Sequence, residues 1–263
     1  MDDSEKMNIL LTGNKGFIGT EIEKSLLRSG IKYTGMDQNE RVPDDKFDII
    51  LHFGARTLIR ESTKNPYGYF KDNVDFTLKI LEKCRVDGST IVFPTSGSVM
   101  EATNPYSLSK KQGEEWIRLY GKIYNVKSYI LKLFNVYGET SKKGAVYLFC
   151  KAAVRDEEVK IFGDGNHKRD FIYVGDLVHF LLEIVNGRIQ PGDYEIGTGR
   201  PVAVNELLSI VERISEKKLK VEHLDYVLPE AEELYSKSPV IRNPLKLESG
   251  VRKVYDHLKL EGK

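Results

Sequence analysis

Short apolar runs alternate with longer amphipathic stretches through the first half of the chain. The apolar runs predict strands at residues 8–12, 33–37, 47–53, 89–95 and 127–134. Between them, apolar residues recur every three or four positions and predict helices at residues 16–29, 66–84 and 106–124. This alternation predicts an α/β fold in which helices cover both faces of a doubly wound parallel sheet.

Beyond about residue 142 the pattern changes to shorter, mixed elements. It predicts helices near residues 145–155, 174–186, 204–217 and 247–258, and short strands near 159–162, 193–196 and 220–223. We therefore expect a main domain over residues 1–141 and a smaller mixed α/β region over residues 142–263. Later segments can return to the main sheet, so the boundary between the two parts is soft.

Composition and charge narrow the classes of function. The 263 residues are 40% hydrophobic and 30% charged, with a net charge of +1 that is scattered along the chain. These values are typical of a globular protein, and they offer no basic stripe for nucleic acid. No apolar run is long enough to cross a bilayer, and the acidic start does not resemble a secretion signal. We therefore expect a cytoplasmic protein that binds neither nucleic acid nor a membrane.

The cysteines and histidines are not spaced for a metal. Cys84 and Cys150 lie far apart in the sequence and are expected to be reduced thiols. His167 lies near Asp164 and Asp170, but this group is more typical of a polar loop than of a metal site. We therefore expect no bound metal.

A glycine-rich loop connects the first predicted strand to the first predicted helix. Gly13, Gly16 and Gly19 have the spacing G-x-x-G-x-x-G. In a Rossmann-type fold these glycines allow a tight turn, the approach of a pyrophosphate and close packing of helix on strand. Asp37 ends the second predicted strand, where a carboxylate binds an adenosine ribose and repels a 2′-phosphate. Together they favour NAD over NADP, although each feature alone is also typical of a turn without a ligand.

The stretch NPYSLSK places Tyr106 and Lys110 one turn apart near the start of a predicted helix. A phenol has an ordinary pKa of about 10, and a nearby ammonium lowers that pKa by stabilising the phenolate. Ser96 ends the fourth predicted strand, at the edge of the sheet where ligands bind. We expect Ser96 to orient a substrate hydroxyl and Tyr106 to take its proton, while hydride passes to a nicotinamide. The Y-x-x-x-K spacing is weak alone, because many helices contain it, and strong beside the glycine loop.

Further motifs follow along the chain. They are LHFGA (51–55), NPYGYFKDNV (65–74), PTSGSV (94–99), LKLFNVYG (131–138) and RDFIYVGDLV (169–178). With the features above, this set resembles the extended short-chain dehydrogenase/reductase family, and within it the NAD-dependent nucleotide-sugar epimerases and dehydratases. The resemblance extends from about residue 8 to about residue 215. His52, within the first of these motifs, is more typical of a packed histidine than of a catalytic one.

The resemblance implies that residues 1–141 bind NAD and that residues 142–263 contribute to substrate binding. The implied cofactor-binding residues are Gly13, Gly16, Phe17, Ile18, Gly19, Asp37, Phe53, Gly54, Ala55, Asn73, Tyr106, Lys110 and Phe134. The implied substrate-binding residues are Ser96, Asn135 and Arg169. Arg169 would lie near the diphosphate, with a salt bridge to Asp170 or Asp176 as its alternative role. For Asn135 the alternative is a turn-capping amide.

The chain departs from the family's pattern in several places. The segments 37–53 and 96–106 are shorter than usual, which predicts an open adenine pocket and an exposed substrate site. Gly97 and Ser98 stand where the family's dehydratases have acidic residues, so elimination is disfavoured. The C-terminal part lacks the arginine-containing stretch that grips the nucleotide, although Arg242 could substitute for it.

Three functions fit these residues. The leading hypothesis is an NAD-dependent nucleotide-sugar epimerase that oxidises sugar C4 transiently to a 4-keto intermediate and keeps its cofactor. The second is an NAD(P)H-dependent 4-ketoreductase of a nucleotide-linked 4-keto-6-deoxy sugar. The third is a non-catalytic protein that binds NAD or a nucleotide sugar, against which the intact serine, tyrosine and lysine set argues. The resemblance also implies a homodimer built from the helices at 66–84 and 106–124.

Overall fold

The structure is a computed structural model that describes residues 7–37, 40–100, 102–226 and 231–261. Its helices are α1 (Phe17–Arg28), α2 (Ile59–Lys64), α3 (Pro66–Tyr69), α4 (Phe76–Asp87), α5 (Pro105–Tyr124), α6 (Ala145–Arg155), α7 (Val174–Val185), α8 (Val204–Ser215) and α9 (Leu247–Glu261). Its strands are β1 (Ile9–Thr12), β2 (Tyr33–Met36), β3 (Ile49–His52), β4 (Thr90–Ser96), β5 (Ser128–Leu133), β6 (Asn135–Tyr137), β7 (Val159–Phe162), β8 (Lys168–Arg169), β9 (Phe171–Tyr173), β10 (Gly192–Ile196), β11 (Val202–Ala203), β12 (Val221–Leu224) and β13 (Glu233–Leu234).

The central sheet has six strands in the order β10-β5-β4-β3-β1-β2. β1 pairs in parallel with both β2 and β3, and β3 pairs in parallel with β4. The chain therefore moves from β1 to β2 on one side and then crosses to β3 on the other, which makes β1 and β3 the switch point of the sheet. Ligands of doubly wound sheets bind outside the carboxyl ends of the strands at such a point. The predicted Rossmann-type α/β fold is confirmed.

Burial explains why these segments form strands. Every residue of β1 and of β3 is buried, as expected of parallel strands that are covered on both faces. The core that surrounds them consists of Leu10, Met36, Phe47, Ile50, Phe76, Ile80, Leu81, Cys84, Ile91, Phe93, Ile117, Tyr120, Val126 and Ile130. α1 is amphipathic, since it buries Ile22 and Leu26 and exposes Leu27.

The chain divides into two compact units. The first comprises Met1–Lys132 with Val178–Tyr194, and the second comprises Leu133–Leu177 with Glu195–Lys263. Part of the later chain thus belongs to the first unit. The predicted domain boundary after residue 141 stays a prediction.

The second unit has small sheets and its own core. β6 pairs in parallel with β9, β7 pairs in parallel with β12, and β8 lies between an antiparallel β11 and a parallel β13. Its core includes Phe149, Cys150, Leu207, Val211, Val251 and Val254. The prediction of a smaller, mixed α/β region agrees with this architecture.

Some elements differ from the sequence prediction. The single helix expected at 66–84 is α3, a π-helical turn (Phe70–Asp75) and α4. The hydroxyl of Thr77 donates to the carbonyl of Asn73 at 2.5 Å, a side-chain bond of the kind that bends helices. α2 and the two- or three-residue strands were not predicted, because such short elements show no period. Within the described residues, no helix is long and apolar enough to cross a membrane.

Candidate active site

The glycine loop follows β1 and is tightly packed. Gly13 has φ = 71°, in the left-handed region that favours glycine, and a Cβ there would lie 2.7 Å from the backbone nitrogen of Gly54. A Cβ at Gly19 would lie 2.1 Å from the carbonyl oxygen of Gly13. Since Gly54 follows β3, the loops after both switch-point strands meet backbone to backbone. The absent side chains leave a cradle at the carboxyl edge of the sheet.

The cradle suits the diphosphate of a dinucleotide. α1 begins at Phe17, with Ile18 next, and its N-cap Gly16 offers no side chain to the first N–H groups. Uncapped N–H groups at a helix N-terminus are ready donors to phosphate oxygens. Asn14 adds a second sign, because its buried Oδ1 has no hydrogen-bond partner among the described residues. Both observations indicate a polar ligand at this loop.

A buried hydrogen-bond network supports the cradle from below. The N–H of Gly54 donates to Thr12 Oγ1 at 2.9 Å, and Thr12 Oγ1 lies 2.9 Å from His52 Nδ1. On the other side of the ring, His52 Nε2 lies 3.0 Å from Thr77 Oγ1, which donates to the carbonyl of Asn73. All these bonds are satisfied when Thr12 donates to Nδ1 and Nε2 carries the proton. Burial, followed by the charge of Lys110, lowers the pKa of His52 to about 3, so the ring is neutral, which agrees with its interpretation as a packed histidine.

Asn73 extends this network to the helix that carries the candidate catalytic residues. Its Oδ1 accepts from the N–H of Arg56 at 2.8 Å, and its Nδ2 donates to the carbonyl of Arg56 at 3.0 Å and to Ser109 Oγ at 2.9 Å. Ser109 Oγ in turn donates to the carbonyl of Tyr106 at 2.7 Å. Asn73 thus joins the loop after β3 to the first turn of α5. In that loop Phe53 and Ala55 are half-buried.

Ser96, Tyr106 and Lys110 come together at the carboxyl end of β4. Ser96 ends β4, Tyr106 lies in the first turn of α5, and the Ser96 hydroxyl acts to lower the pKa of the Tyr106 phenol. Ser96 Oγ also lies 2.9 Å from Ser98 Oγ, which lies 2.9 Å from Ser107 Oγ. Lys110 is 4% exposed, and its Nζ lies 4.1 Å from the centre of the Phe93 ring. Hydroxyl hydrogen bonds thus hold Ser96, burial against Phe93 holds Lys110, and helical spacing places Tyr106 on the same face as Lys110.

Burial controls the ionisation of this pair. It raises the pKa of Tyr106 to about 12, with a smaller lowering by the hydrogen bond from Ser96 and a further rise from Tyr69. It also lowers the pKa of Lys110 to about 7, against the opposite effect of the Glu114 carboxylate. The expectation that the lysine lowers the pKa of Tyr106 is therefore wrong for this structure. Desolvation disfavours the charged forms of both groups and is the largest cause of both pKa shifts.

Sequence reasoning missed the side chains that hold the site together. They are Thr12, Thr77, Thr95, Ser98, Ser107, Ser109 and Glu114. Two had a local signal: Thr12 directly precedes the first glycine, and Glu114 follows Lys110 by one helical turn. The others are recognised only from their hydrogen bonds in the folded structure.

Asp37 directly follows β2, beside the glycine loop. Its N–H donates to Glu40 Oε2 at 2.9 Å, and Glu40 Oε1 pairs with Lys15 of the loop at 2.8 Å. The side chains of Lys15 and Glu40 are 64% and 46% exposed, so this end of the loop is open to solvent. In the described part of the segment between β2 and β3 there is no helix or strand. A groove lined by Glu40, Val42 and Phe76, among others, opens there.

Phe134 and Asn135 lie in the second unit, close to Asp170. The N–H and the side-chain amide of Asn135 donate to the carbonyl of Asp170 at 2.9 and 3.2 Å, across the β6–β9 pair. Close packing is required beside them, since a Cβ at Gly197 would lie 2.5 Å from Asp170 and 3.0 Å from Phe134. The amide of Asn135 therefore has a structural role, and its substrate role stays a prediction.

Arg169 lies in β8 of the same unit. Its Nη1 donates to the carbonyls of Lys168 at 2.9 Å and Ala231 at 3.0 Å. The carboxylate of Asp170 accepts from the backbone of Thr198, Gly199 and Ser236, and that of Asp176 accepts from the N–H of Leu245. Both carboxylates thus accept hydrogen bonds from backbone groups. Binding of a diphosphate by Arg169 stays a prediction.

The remaining titratable candidates have other partners. His167 Nδ1 lies 2.6 Å from the hydroxyl of Tyr226. Across the residues that the structure describes, no group of histidine, cysteine and carboxylate side chains could hold a metal. Cys84 and Cys150 are free and buried, and burial raises the pKa of each thiol to about 12.

Comparison with known proteins extends these observations. Residues 9–197 match the NAD dependent epimerase/dehydratase family. A provisionally assigned UDP-glucose 4-epimerase of Methanocaldococcus jannaschii is 31% identical over 248 residues, which cover 77% of this chain and 81% of that protein. The UDP-glucuronate 4-epimerase of Thermodesulfobacterium geofontis is 26% identical over 273 residues, covering 82% and 83% of the two chains.

The same fold occurs in a solved epimerase structure. The crystal structure of the Thermus thermophilus UDP-glucose 4-epimerase, in complex with NAD, matches 96% of this chain with a TM-score of 0.86 and 25% identity, and the match covers 99% of that chain. The resemblance to the extended short-chain dehydrogenases/reductases is confirmed. The sequence match and the fold agree over most of the chain, which therefore belongs to the NAD dependent epimerase/dehydratase family.

Proposed function

We propose that this protein is an NAD-dependent nucleotide-sugar epimerase that acts at sugar C4. The observation that carries the proposal is the meeting of Ser96, Tyr106 and Lys110 at the carboxyl end of β4, in the unit that also contains the glycine cradle. A protein that only binds a nucleotide has no use for a half-buried phenol one helical turn from a buried amine. The 4-epimerases among its relatives support a nucleotide sugar as the substrate.

The cradle would hold NAD. The residues that would contact it are Gly13, Gly16, Phe17, Ile18, Gly19, Asp37, Phe53, Gly54, Ala55, Asn73, Tyr106, Lys110 and Phe134. We add Asn14 to this set, because its buried Oδ1 has no hydrogen-bond donor among the described residues. When bound, NAD supplies reversible oxidation and reduction at a sugar carbon. The carboxylate of Asp37 would accept from the ribose and would repel a 2′-phosphate.

The protein's own side chains move the proton. Tyr106 takes the proton of the C4 hydroxyl and later returns it, while Ser96 orients that oxygen. Because burial favours the neutral phenol, Tyr106 becomes a base only when positive charge offsets the burial. Lys110, one helical turn away, is the side chain that we expect to supply this charge. Asn135 and Arg169 would hold the sugar nucleotide, with the guanidinium of Arg169 on its diphosphate.

Elimination chemistry fits this site less well. A dehydratase needs a further acid or base next to the ketone. Gly97 has no side chain, and the hydroxyl of Ser98 is engaged with Ser96 and Ser107. The site therefore supports oxidation and reduction of the same carbon, as in an epimerase.

One observation favours a ketoreductase as the second candidate. The Lys15–Glu40 pair beside Asp37 is exposed, and an open ribose end suits a cofactor that exchanges with each turnover. An epimerase must instead retain its cofactor between the two half-reactions.

The small molecules that the purified protein releases on denaturation distinguish the epimerase from the ketoreductase. We would purify the protein without added cofactor, denature it and analyse the supernatant by mass spectrometry. Stoichiometric NAD or NADH supports the epimerase, whereas empty protein supports the ketoreductase and calls for NADH and NADPH assays with keto-sugar substrates.

Turnover provides the direct test. UDP-glucose and UDP-glucuronate would be assayed for C4 inversion with the wild-type protein, the Tyr106→Phe variant and a Tyr124→Phe control on the exposed part of the same helix. Loss of a general base costs about 10²- to 10⁴-fold, so only Tyr106→Phe should lose turnover. Full turnover by Tyr106→Phe would show that another group is the base.

We also propose that the protein is a homodimer. α5 exposes Leu108, Trp116, Leu119 and Ile123, and at 100° per residue these four side chains lie within about 80° of one another around the helix. Such an apolar stripe suits a two-fold contact with the same helix of a second copy. Sedimentation of wild type at micromolar concentration should give a dimer mass. The double variant Leu119→Glu with Ile123→Glu should give a monomer, and Leu27→Glu, at an exposed site on α1, should not change the mass.

The proposed compartment is the cytoplasm. Two buried free thiols suit a reducing environment. Cell fractionation with an antibody to the protein checks this, and recovery in a secreted fraction would contradict it.

A further inference from the structure

The catalytic face of α5 continues beyond Lys110. Tyr106, Lys110, Glu114 and Arg118 follow one another at intervals of four residues, so they lie along one side of the helix. Tyr106 and Lys110 have roles in the proposed reaction, whereas Glu114 and Arg118 have none so far. The side chain of Glu114 is only 14% exposed, and a carboxylate so far from water needs partners.

Glu114 joins the helix to the strand that carries Ser96. The hydroxyl of Thr95 donates to Glu114 Oε1 at 2.5 Å, and Thr95 is 3% exposed and directly precedes Ser96. Arg118 Nη2 lies 3.8 Å from Glu114 Oε2 and pairs with Asp193 at 2.6 Å. The carboxylate is therefore fixed between β4 and α5 rather than free to turn towards solvent.

The same carboxylate provides charge behind Lys110. The titratable groups around the Tyr106–Lys110 pair are His52 of β3, Tyr69 of α3 and Glu114 of α5. His52 is neutral, and Tyr69 opposes ionisation of Tyr106. Glu114 favours the ammonium form of Lys110 against the effect of burial. The ring of Phe93 is the other group that stabilises the ammonium.

We propose that Glu114 is a positioning residue that keeps Lys110 protonated and, through Thr95, holds the end of β4 at the distance from α5 that brings Ser96 to Tyr106. This inference rests on the proposed function, because it assumes that Lys110 acts as a cation beside a phenolate. It assigns to Glu114 a role that involves no contact with substrate.

Two substitutions separate the charge of Glu114 from its hydrogen bond. Glu114→Gln keeps an oxygen that accepts from Thr95 but removes the charge. Thr95→Val removes the hydrogen bond but keeps the charge. Glu115→Gln is the matched control, because it removes an exposed carboxylate from the next position of the same helix.

The first readout is the titration of the Lys110 side chain, followed by NMR of lysine-labelled protein and assigned by the signal that Lys110→Met lacks. An opposite charge nearby shifts a pKa by about 1 to 3 units. Glu114→Gln should therefore lower the titration midpoint of Lys110 by about 1 pH unit or more. Glu115→Gln should leave the midpoint unchanged. An unchanged midpoint in Glu114→Gln overturns the inference.

Folding of each variant is checked by circular dichroism. If Glu114→Gln does not fold, Glu114→Asp tests the role of Glu114 instead, because its side chain is shorter by one methylene and moves the carboxylate away from Lys110. Its Lys110 midpoint should lie below that of wild type, because the negative charge is further from the ammonium. A wild-type midpoint in that variant would count against the role of Glu114.

The second readout is the pH profile of C4 inversion. Since the active form needs charged Lys110, Glu114→Gln should move the alkaline limb to lower pH, whereas Thr95→Val should lower kcat without moving that limb. The two readouts distinguish two failures. If the protein does not invert C4 but Lys110 titrates as expected, the proposed function fails and the electrostatic role of Glu114 remains. If C4 is inverted but the Lys110 midpoint does not move, only the role of Glu114 fails.

Discussion

Replacing Lys110 by methionine should stabilise the folded protein at neutral pH, by an amount that shrinks as the pH rises. Lys110 is 4% exposed, and burial lowers its pKa from the ordinary value of 10.5 to about 7. The folded protein therefore holds the ammonium less readily than the unfolded chain does. Methionine has a similar length and no charge, so it removes this cost.

The magnitude follows from the shift in pKa. A difference of about 3.5 pKa units corresponds to a destabilisation of the folded state of about 5 kcal/mol, at 1.36 kcal/mol per unit. About 4 kcal/mol of this cost applies at pH 7, where the folded protein has already lost part of the proton. Loss of the contact with the Phe93 ring offsets about 1 kcal/mol. The net gain of Lys110→Met at pH 7 is therefore about 3 kcal/mol.

The sign of the pH dependence is fixed by which state binds more protons. Between pH 7 and pH 10.5 the unfolded chain keeps a proton on Lys110 that the folded protein has lost. The stability of wild type therefore rises with pH in this window, by up to about 1.4 kcal/mol per pH unit. Below pH 7 the full cost is present, and above pH 10.5 it disappears.

Urea unfolding followed by circular dichroism at pH 7, 8.5 and 10 measures this difference. Lys111→Met is the control, because it removes an exposed lysine from the next position of α5. The free-energy difference between Lys110→Met and wild type should shrink steadily from pH 7 to pH 10. A difference that does not change with pH, or a variant less stable than wild type at pH 7, would refute a buried and destabilised ammonium.

Three further predictions concern the cradle. Because the pKa of folded His52 is about 3, wild type should lose stability as the pH falls from 6.5, by up to about 1.4 kcal/mol per pH unit. The unfolding free energy of His52→Gln, measured from pH 4 to 7, should lack this slope. An unchanged slope would assign the pH dependence to other groups. Gly19→Ala places a Cβ 2.1 Å from the carbonyl of Gly13, so calorimetric titration should show NAD affinity reduced by at least about tenfold. Gly192→Ala, whose Cβ meets only atoms at 3.6 Å or more, should bind NAD as wild type does, and equal affinity in both variants would argue against the cradle. Asp37→Ala should raise the affinity for NADPH relative to NADH by about tenfold in a fluorescence titration, and an unchanged ratio would remove Asp37 from cofactor selection.

The sequence predicted the elements whose pattern is long enough to show a period. β1, β3 and α5 lie where apolar runs and helical spacing place them, and Tyr106 with Lys110 could be paired because both lie on one helix. The helix predicted at 66–84 contains a π-helical turn instead, and the Thr77 hydroxyl donates to a backbone carbonyl of that turn. Side-chain bonds of this kind leave no trace in hydrophobic periodicity.

The parts of the site that could not be predicted depend on contacts between distant segments. Thr12 and His52 are 40 positions apart, and Thr95 and Glu114 are 19 apart, so their hydrogen bonds appear only once the sheet is assembled. The burial of side chains at the site likewise depends on contacts between distant segments. The sequence placed a lysine beside Tyr106, but it did not show that both lie in surroundings where their charged forms are costly.

That cost determines when the site can act as a base. Moving the proton of Tyr106 to Lys110 in this structure means transferring it from a group with a pKa of about 12 to one with a pKa of about 7, which costs about 7 kcal/mol before the two charges attract each other. Attraction between a phenolate and an ammonium would recover part of this cost, about 4 kcal/mol for two charges ~4 Å apart at an effective dielectric of ~20. The remainder has to come from the surroundings, and Glu114 and a hydrogen-bonding substrate hydroxyl are the groups that can supply it. Tyr106 is therefore protonated until ligands bind, so its action as a base is confined to the occupied site.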